Sequence, residues 1–185
     1  MELYLRRIDE LPPDRDERIL LALRSLGVSG QLGRVARAGR GKPYLPDRPD
    51  LCFSVSHSGA LWVCALADRP VGVDLQRHTD CPRERIARRF FHPDEIGYLE
   101  AHGFRPFFDV WTARESYVKG RGTGLFGERT PFSVVRDGCI AAPEGWRFVF
   151  PEPPVGFSLT AALFDSGAPL SNILYENVNK MQNIR

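Results

Sequence analysis

The stretch VGVDLQ, at residues 71–76, decides how this chain is organised. Apolar and polar residues alternate along it, which is typical of a β-strand, because successive side chains of a strand point to opposite faces. Gly72, Asp74 and Gln76 share one face, and the Cα atoms of the two polar residues are expected about 7 Å apart. Both can reach one hard cation, and we expect Gly72 to leave space for a ligand. Taken alone, the pattern is more often that of a polar strand end that meets solvent.

Upstream of this stretch, the sequence predicts further strands and one helix. LCFSVSH at residues 51–57 and LWVCALA at residues 61–67 have strand composition and are bounded by turn residues. LYLRRI at residues 3–8 alternates like a strand, and DERILLALRSLG at residues 16–27 has helical leucine spacing after an acidic first turn. The glycine- and proline-rich residues 37–50 predict a loop.

Downstream, three helices are predicted. PRERIARRFF at residues 82–91 and PDEIGYLEAHG at residues 93–103 each carry a proline at or near the first turn. PFFDVWTARESYVKG, at residues 106–120, predicts a longer helix that ends at Gly120 and Gly122. Three segments then predict antiparallel strands: FSVVRDGCI, GWRFVF and FSLTAALF.

This order of elements, helix and strands followed by helices and strands, predicts an α+β fold built from two halves of similar plan. We expect an N-terminal half at residues 1–76, a C-terminal half at residues 77–165 and a tail at residues 166–185. The seam between the halves should lie near residues 75–82. The tail is expected to pack as a short strand or to remain frayed.

The composition is that of an ordinary soluble protein: of 185 residues, 43% are hydrophobic and 26% are charged. No apolar run approaches the roughly 20 residues that span a bilayer, and the first residues lack the apolar core of a secretion signal. We therefore expect a cytoplasmic protein with no membrane partner. The net charge of +2 argues against a nucleic-acid partner. Four cysteines form no CxxC pair and predict buried free thiols: Cys52, Cys64, Cys81 and Cys139.

The predicted helix at residues 106–120 places Trp111, Glu115 and Lys119 on one stripe. An exposed Glu–Lys pair at this spacing contributes only about 0.3–0.5 kcal/mol. A carboxylate beside Trp111 would instead be partly desolvated, and would need Lys119 or a metal ion as its counter-charge. The pattern in isolation favours the surface ion pair, and the alternative is a reaction centre.

Two further segments are candidate anion binders. One carries four basic residues with no acid among them, which a flexible loop explains better than a phosphate site: Arg34, Arg37, Arg40 and Lys42. In the other, FSVSHSG at residues 53–59, three serines share a strand face and His57 points the other way. His57 stands where strand becomes turn, which suits hydrogen bonding to phosphate. No GxSxG motif supports serine-hydrolase chemistry.

Four segments in fixed order resemble the 4′-phosphopantetheinyl transferases of the surfactin-synthetase-activating type: GKPYLPDRPDLCFSVSHSG, VGVDLQ, RRFFHPDE and WTARESYVKGRGTGL. The similarity runs from about Asp14 to Leu163. It implies a pseudo-dimer of two α+β halves with the active site in the cleft between them, acting as a monomer. It also implies transfer of the phosphopantetheine arm of coenzyme A to a serine of an apo acyl or peptidyl carrier protein. Adenosine 3′,5′-bisphosphate is released, and Mg²⁺, or Mn²⁺ in its place, is required.

The resemblance implies roles for single residues. Asp74 and Glu115 would ligate Mg²⁺, with Gln76 as a further ligand, directly or through water. Glu115 would accept the proton of the carrier serine, and Lys119 would offset charge on the phosphates. Coenzyme A contacts are implied for seven residues: Lys42, Pro43, Ser56, His57, Lys119, Arg18 and Arg40.

The sequence departs from the family at Gln76, where many members carry an acid. Because a neutral amide is a poorer Mg²⁺ ligand than a carboxylate, we expect weaker metal affinity. The alternative function is a non-catalytic module that binds carrier protein or coenzyme A. Carrier contacts are implied for residues 123–132 and for the helices that follow Asp74.

Overall fold

The computed structural model of the protein describes residues 1–38, 41–122, 131–165, 167 and 174–176. Four α-helices lie in these ranges: α1 (Arg15–Ser25), α2 (Arg83–Phe90), α3 (Pro93–Ala101) and α4 (Phe107–Arg121). The first six strands are β1 (Glu2–Arg7), β2 (Ala36–Ala38), β3 (Lys42–Tyr44), β4 (Cys52–Ser58), β5 (Leu61–Ala67) and β6 (Val71–Arg77). The others are β7 (Val135–Arg136), β8 (Cys139–Ile140), β9 (Trp146–Val149), β10 (Phe157–Phe164) and β11 (Leu174–Glu176). The α+β prediction is confirmed.

Two sheets enclose one apolar core. The first has the order β11-β1-β5-β4, in which β11 runs parallel to β1. The second has the order β6-β10-β9 and is antiparallel. Leu5 and Val63 from the first sheet pack with Val73, Leu75 and Ala161 from the second. Strand β6, within the stretch expected as the N-terminal half, thus hydrogen-bonds to β10 from the stretch that follows.

Helix α1 covers the other face of the first sheet. Asp14 caps the helix, because its carboxylate accepts hydrogen bonds from the amides of Asp16 and Glu17. Ile19 and Leu23 are buried in a second apolar cluster, which also contains aromatic side chains of the sheet: Tyr4, Phe53 and Trp62. This packing leaves the opposite face of the sheet to the central core.

Several expectations on local structure are corrected. The predicted loop at residues 37–50 includes parts of the antiparallel hairpin of β2 and β3. Helix α4 continues through Gly120 to Arg121, and Gly122 ends it in the left-handed conformation. FSVVRDGCI forms two short strands, because Asp137 and Gly138 turn the chain between them. All four cysteines are free, but only Cys64 of the four is buried: Cys52 and Cys81 are partly buried, and Cys139 is exposed.

Helix α4 packs directly on the second sheet, at glycines. A Cβ atom on Gly72 of β6 would lie 1.9 Å from the carbonyl oxygen of Ser116 and 2.3 Å from the amide nitrogen of Gly120. The expectation that Gly72 leaves space for a ligand is therefore wrong. The absent side chain makes room for the helix backbone, which lets α4 approach the strand that carries Asp74.

Strands β4 and β6 belong to different sheets and are joined by serine side chains. Three alternate amides of β6 donate to three alternate hydroxyls of β4: Val73 N to Ser54 Oγ (3.1 Å), Leu75 N to Ser56 Oγ (3.3 Å) and Arg77 N to Ser58 Oγ (3.0 Å). The prediction that the three serines share a face is confirmed. The contact connects the two sheets where the candidate site residues lie.

Helices α2 and α3 pack with α4 around Phe107, Leu99 and Ala87. His92 caps α3 in a capping box, in which the Glu95 side chain accepts the amide hydrogen of His92. None of the helices in the described part of the chain is long and apolar enough to cross a membrane.

Candidate functional site

Asp74 lies in the middle of β6, opposite Thr160 of β10, and its side chain is only 8% exposed. One carboxylate oxygen, Oδ1, accepts hydrogen bonds from the Ser56 hydroxyl (2.8 Å) and the Lys119 ammonium (2.6 Å). The other oxygen accepts none from the residues that the structure describes. Asp74 is thus held by β4 and α4 through one oxygen, and its second oxygen remains available to a ligand.

Lys119 approaches Asp74 from the last turn of α4. Its ammonium donates to Asp74 Oδ1 and to Ser56 Oγ at 2.9 Å, which leaves one of its three protons for another acceptor. The side chain is 31% exposed, so it is reachable from solvent. The structure therefore brings together Asp74, Ser56 and Lys119, three of the residues predicted from the sequence, although Lys119 pairs with Asp74 and not with Glu115.

Glu115 lies one helical turn before Lys119 and is partly buried. Its carboxylate accepts no hydrogen bond from any described residue. Burial raises the pKa of Glu115 above its ordinary value, the negative charge of Asp74 raises it further, and Lys119 and Arg114 lower it. Glu115 is therefore a carboxylate that lacks a dedicated partner and stands close enough to Asp74 to be affected by its charge.

These two carboxylates fit a hard divalent cation. Mg²⁺ usually takes one or two protein carboxylates and completes its coordination with waters and substrate phosphates. Glu115 and the free oxygen of Asp74 provide such a donor set, and a cation between them would offset their repulsion. No cluster of three or more acidic, histidine or cysteine ligands occurs within the described residues.

Gln76 follows Asp74 on the same face of β6, as predicted. Its side-chain amide donates to the carbonyl oxygen of Arg77 at 3.0 Å and is partly exposed. The amide therefore makes a local contact at the end of the strand, in the position where many family members carry an acid.

Lys42 begins β3 and extends to the carboxyl end of α4. Its ammonium donates to the carbonyl oxygens of Lys119 (2.7 Å), Gly120 (3.1 Å) and Val71 (3.3 Å). Burial lowers the pKa of this ammonium. Sequence reasoning treated Lys42 as a coenzyme A contact and missed this role, since the sequence does not reveal that the hairpin lies against the end of α4.

A cavity of about 220 Å³ opens between β3, β4 and α4, and its lining includes Lys42, Pro43, Ser54, Val118 and Lys119. A larger cavity, of about 1070 Å³, is lined by Tyr98, Tyr117 and Phe132 among others, and includes none of the residues predicted to bind the metal or coenzyme A. It does include part of the region expected to contact a carrier protein. The smaller cavity is the better candidate for the ligand because it reaches Lys119.

Within the described part of the chain, the other residues predicted to bind anions make no hydrogen bond or ion pair with Asp74, Glu115 or Lys119. His57 is exposed at the end of β4. Arg18 donates to the carbonyl oxygens of Pro12 and Pro13 beside α1. Arg40 lies outside the described residues, as do residues 123–130 of the segment expected to contact a carrier protein.

A second buried ion pair was not anticipated. Glu95 is fully buried and accepts hydrogen bonds from Arg114 Nη1 through both oxygens, at 2.8 and 2.6 Å. The amide of Val134 also donates to it, at 2.8 Å. The rings of Phe91 and Phe132 flank the guanidinium. The sequence did indicate that Glu95 has a structural role, because His92 and Glu95 have the spacing of a capping box.

The chain is similar in sequence to known proteins over the segment that contains these residues. Residues 70–150, which contain Asp74, Glu115 and Lys119, match the model of the 4′-phosphopantetheinyl transferase superfamily. A 4′-phosphopantetheinyl transferase of Bacillus subtilis is 40% identical over 98 residues, which are 51% of this chain and 43% of the relative. The 4′-phosphopantetheinyl transferase Sfp of Bacillus subtilis (strain 168) is 38% identical over 98 residues, with the same coverage.

A third relative, the 4′-phosphopantetheinyl transferase gsp of Aneurinibacillus migulanus, is 37% identical over 90 residues, which are 46% of this chain and 37% of the relative. The match thus spans less than half the length of these curated relatives. The resemblance inferred from the four sequence segments is confirmed.

Proposed function

We propose that this chain, whose residues 70–150 match the 4′-phosphopantetheinyl transferase superfamily, transfers the phosphopantetheine arm of coenzyme A to a serine of an apo acyl or peptidyl carrier protein. The observation that carries the proposal is the arrangement of Asp74, Lys119 and Glu115 within the matched residues. Asp74 and Lys119 are fixed by hydrogen bonds, and Glu115 is left without a hydrogen-bond partner among the described residues. A module that only binds its ligands has no need of a proton acceptor at this position.

In this reaction the carrier serine oxygen attacks the phosphorus next to the pantetheine arm. The bond from that phosphorus to the bridging oxygen of the pyrophosphate breaks, and adenosine 3′,5′-bisphosphate leaves. Glu115 would accept the serine proton, directly or through a water. Burial raises the pKa of its carboxyl group, and the charge of Asp74 raises it further. The third N–H group of Lys119 donates a hydrogen bond to a phosphate oxygen, and the positive charge of the ammonium stabilises the transition state.

Asp74 and Glu115 would hold Mg²⁺, or Mn²⁺, in this proposal. Bound there, the ion supplies charge neutralisation for the pyrophosphate. Asp74 is oriented by Ser56 and Lys119, so its free oxygen keeps one direction. Gln76 would contribute its neutral amide oxygen to the ion, directly or through a water, while its Nε2 donates to the carbonyl oxygen of Arg77. The expected result is metal affinity below that of relatives with an acid here.

The small cavity beside β3 and Lys119 is proposed to receive the pyrophosphate end of coenzyme A, with Pro43 in its lining. We further propose that the chain acts as a monomer in the cytoplasm and that residues 1–76 and 77–165 form the two halves of a pseudo-dimer. Pairing of β6 with β10 supports a single cooperative unit in which the two halves share a sheet.

The test is transfer itself. The protein is incubated with coenzyme A, Mg²⁺ and a panel of apo carrier proteins from fatty-acid, polyketide and peptide assembly, and each carrier is weighed by mass spectrometry. The expected result is the mass of one phosphopantetheine on the carrier serine, and its loss when Mg²⁺ is chelated. Binding of carrier or coenzyme A without a mass change on any carrier would establish the non-catalytic module instead.

A further inference from the structure

We propose that Lys42 is a positioning residue, which holds the carboxyl end of α4 against β6, and that its ammonium does not contact coenzyme A phosphates. The proposal concerns the site described above and rests on the proposed function for its kinetic part. Lys42 is the first residue of β3, and its side chain crosses to two other elements. These are α4, which carries Lys119 and Glu115, and β6, which carries Asp74.

The first argument is the number of donors. A lysine ammonium has three protons and no acceptor. Lys42 has three acceptors within hydrogen-bond distance, the carbonyl oxygens of Lys119, Gly120 and Val71 at 2.7, 3.1 and 3.3 Å. Every proton of the ammonium is therefore in use. A phosphate would have to displace a backbone carbonyl that is buried at the contact of helix and strand.

The second argument is the nature of these acceptors. The last carbonyl groups of a helix have no partner within it, and they form the negative end of its dipole. The amide of Gly122 reaches the carbonyl oxygens of Val118 and Lys119, whereas the Gly120 oxygen receives its hydrogen bond from Lys42. A cation at this point donates hydrogen bonds to carbonyl groups at the end of the helix and thereby stabilises the end of α4.

The third argument links this contact to the reacting groups. The residue whose carbonyl oxygen Lys42 binds most closely, Lys119, is the one whose side chain bonds to Asp74. The same point is where α4 and β6 approach through Gly72 and Gly120 with no room for a Cβ atom. A small movement of the helix end would therefore move Lys119 relative to Asp74, and misplacement by about 1 Å can reduce a rate about 100-fold.

The experiment compares Lys42→Met, which keeps the length of the side chain without its donors, with wild-type protein. Three quantities are measured: the Kd of coenzyme A by calorimetry without carrier, kcat for transfer, and hydrogen exchange at the Gly122 amide. The expected results are a Kd within about threefold of wild type, a kcat lowered at least about tenfold, and faster exchange. As a matched control, Arg48→Met removes a nearby cation that bonds to Asp50 and to the Ser29 carbonyl oxygen, and should change none of the three.

A Kd raised more than tenfold with unchanged exchange at Gly122 would overturn the proposal, since that is the behaviour of a phosphate contact. If Lys42→Met does not fold, Lys42→Arg decides by the same measurements. An unchanged Kd with lowered kcat supports a positioning role, and a raised Kd overturns it. Failure of the proposed function would appear separately, as no transfer by wild-type protein, and exchange at Gly122 would still report whether Lys42 holds the helix end.

Discussion

Helix α4 contributes to two ion pairs, one buried and one partly buried, and they differ in how many of their hydrogen-bonding groups are occupied. Arg114 lies in a closed pair with Glu95, whose side chain is 0% exposed and also accepts two backbone amides. Lys119 lies in a pair with Asp74 that is open on one side. Next to that open pair stands Glu115, which accepts no hydrogen bond within the described residues. The adjacent residues Arg114 and Glu115 thus belong to different environments.

This difference in free hydrogen-bonding groups distinguishes an ion pair that supports the fold from one that can bind a ligand. A buried charge that is fully hydrogen-bonded has no capacity for a further ligand, and removing its partner is costly. A pair that keeps a free carboxylate oxygen and a free ammonium proton can bind something else. The closed pair fixes α4 to α3 and to the chain near Val134, and it thereby gives the open pair a rigid support.

The largest effect is expected from Glu115→Gln, which removes the proton acceptor beside the open pair. Transfer to carrier protein should fall by about 10²–10⁴, measured as phosphopantetheine mass per unit time, with coenzyme A binding retained. Because the pKa of Glu115 is raised in the folded protein, ionisation of this group opposes folding as pH rises above its ordinary value. The variant should therefore be at least as stable as wild type near pH 7, and this difference should disappear as the pH falls below about 4.3.

Transfer at the wild-type rate by Glu115→Gln would refute the assigned role. A loss of transfer accompanied by a lower unfolding midpoint at pH 7 would place Glu115 in the same class as Glu95, and the contrast between the two pairs would fail.

The second effect concerns the closed pair. Glu95→Gln leaves the Arg114 guanidinium buried without its counter-charge, and we expect the free energy of unfolding to fall by about 3–5 kcal/mol. Chemical denaturation measures it. A matched control is Glu84→Gln, which removes one exposed partner of Arg88. Arg88 also pairs with Glu100, so this substitution should change the free energy of unfolding little. Equal, small effects of both substitutions would mean that burial does not distinguish the pairs.

The smallest effect is expected from Gln76→Glu, which adds a carboxylate to the face of the open pair. Among the described residues, the side-chain amide lost donates to a neighbouring carbonyl group alone, so the fold should tolerate the change. The concentration of Mg²⁺ that gives half-maximal transfer should fall, roughly tenfold, because an additional charged ligand strengthens binding. An unchanged requirement for Mg²⁺ would show that residue 76 does not approach the ion.

The sequence predicted the elements of this fold better than their contacts. The alternation in β6 and the spacing in α4 are local, so both elements and the shared face of Asp74 and Gln76 followed from the residues. Gly72 was misinterpreted, because a glycine in a strand indicates a close approach of some kind without identifying what approaches. The contacts of Lys42 with carbonyl oxygens of α4 and β6 were not predicted, since its acceptors lie far along the chain and only the packed hairpin reveals them.

The pairing of β6 with β10 has a consequence for synthesis of the protein. Val71 lies opposite Leu163 in this pair, and Glu2 lies opposite Leu174 at the edge of the first sheet. On the ribosome, β6 therefore emerges long before the strand that will cover its edge. Loop closure over such separations is slow, and an apolar strand edge is prone to aggregation until it is paired. The strand that contributes Asp74 to the site thus remains without its sheet partner in the nascent chain until β10 has been made.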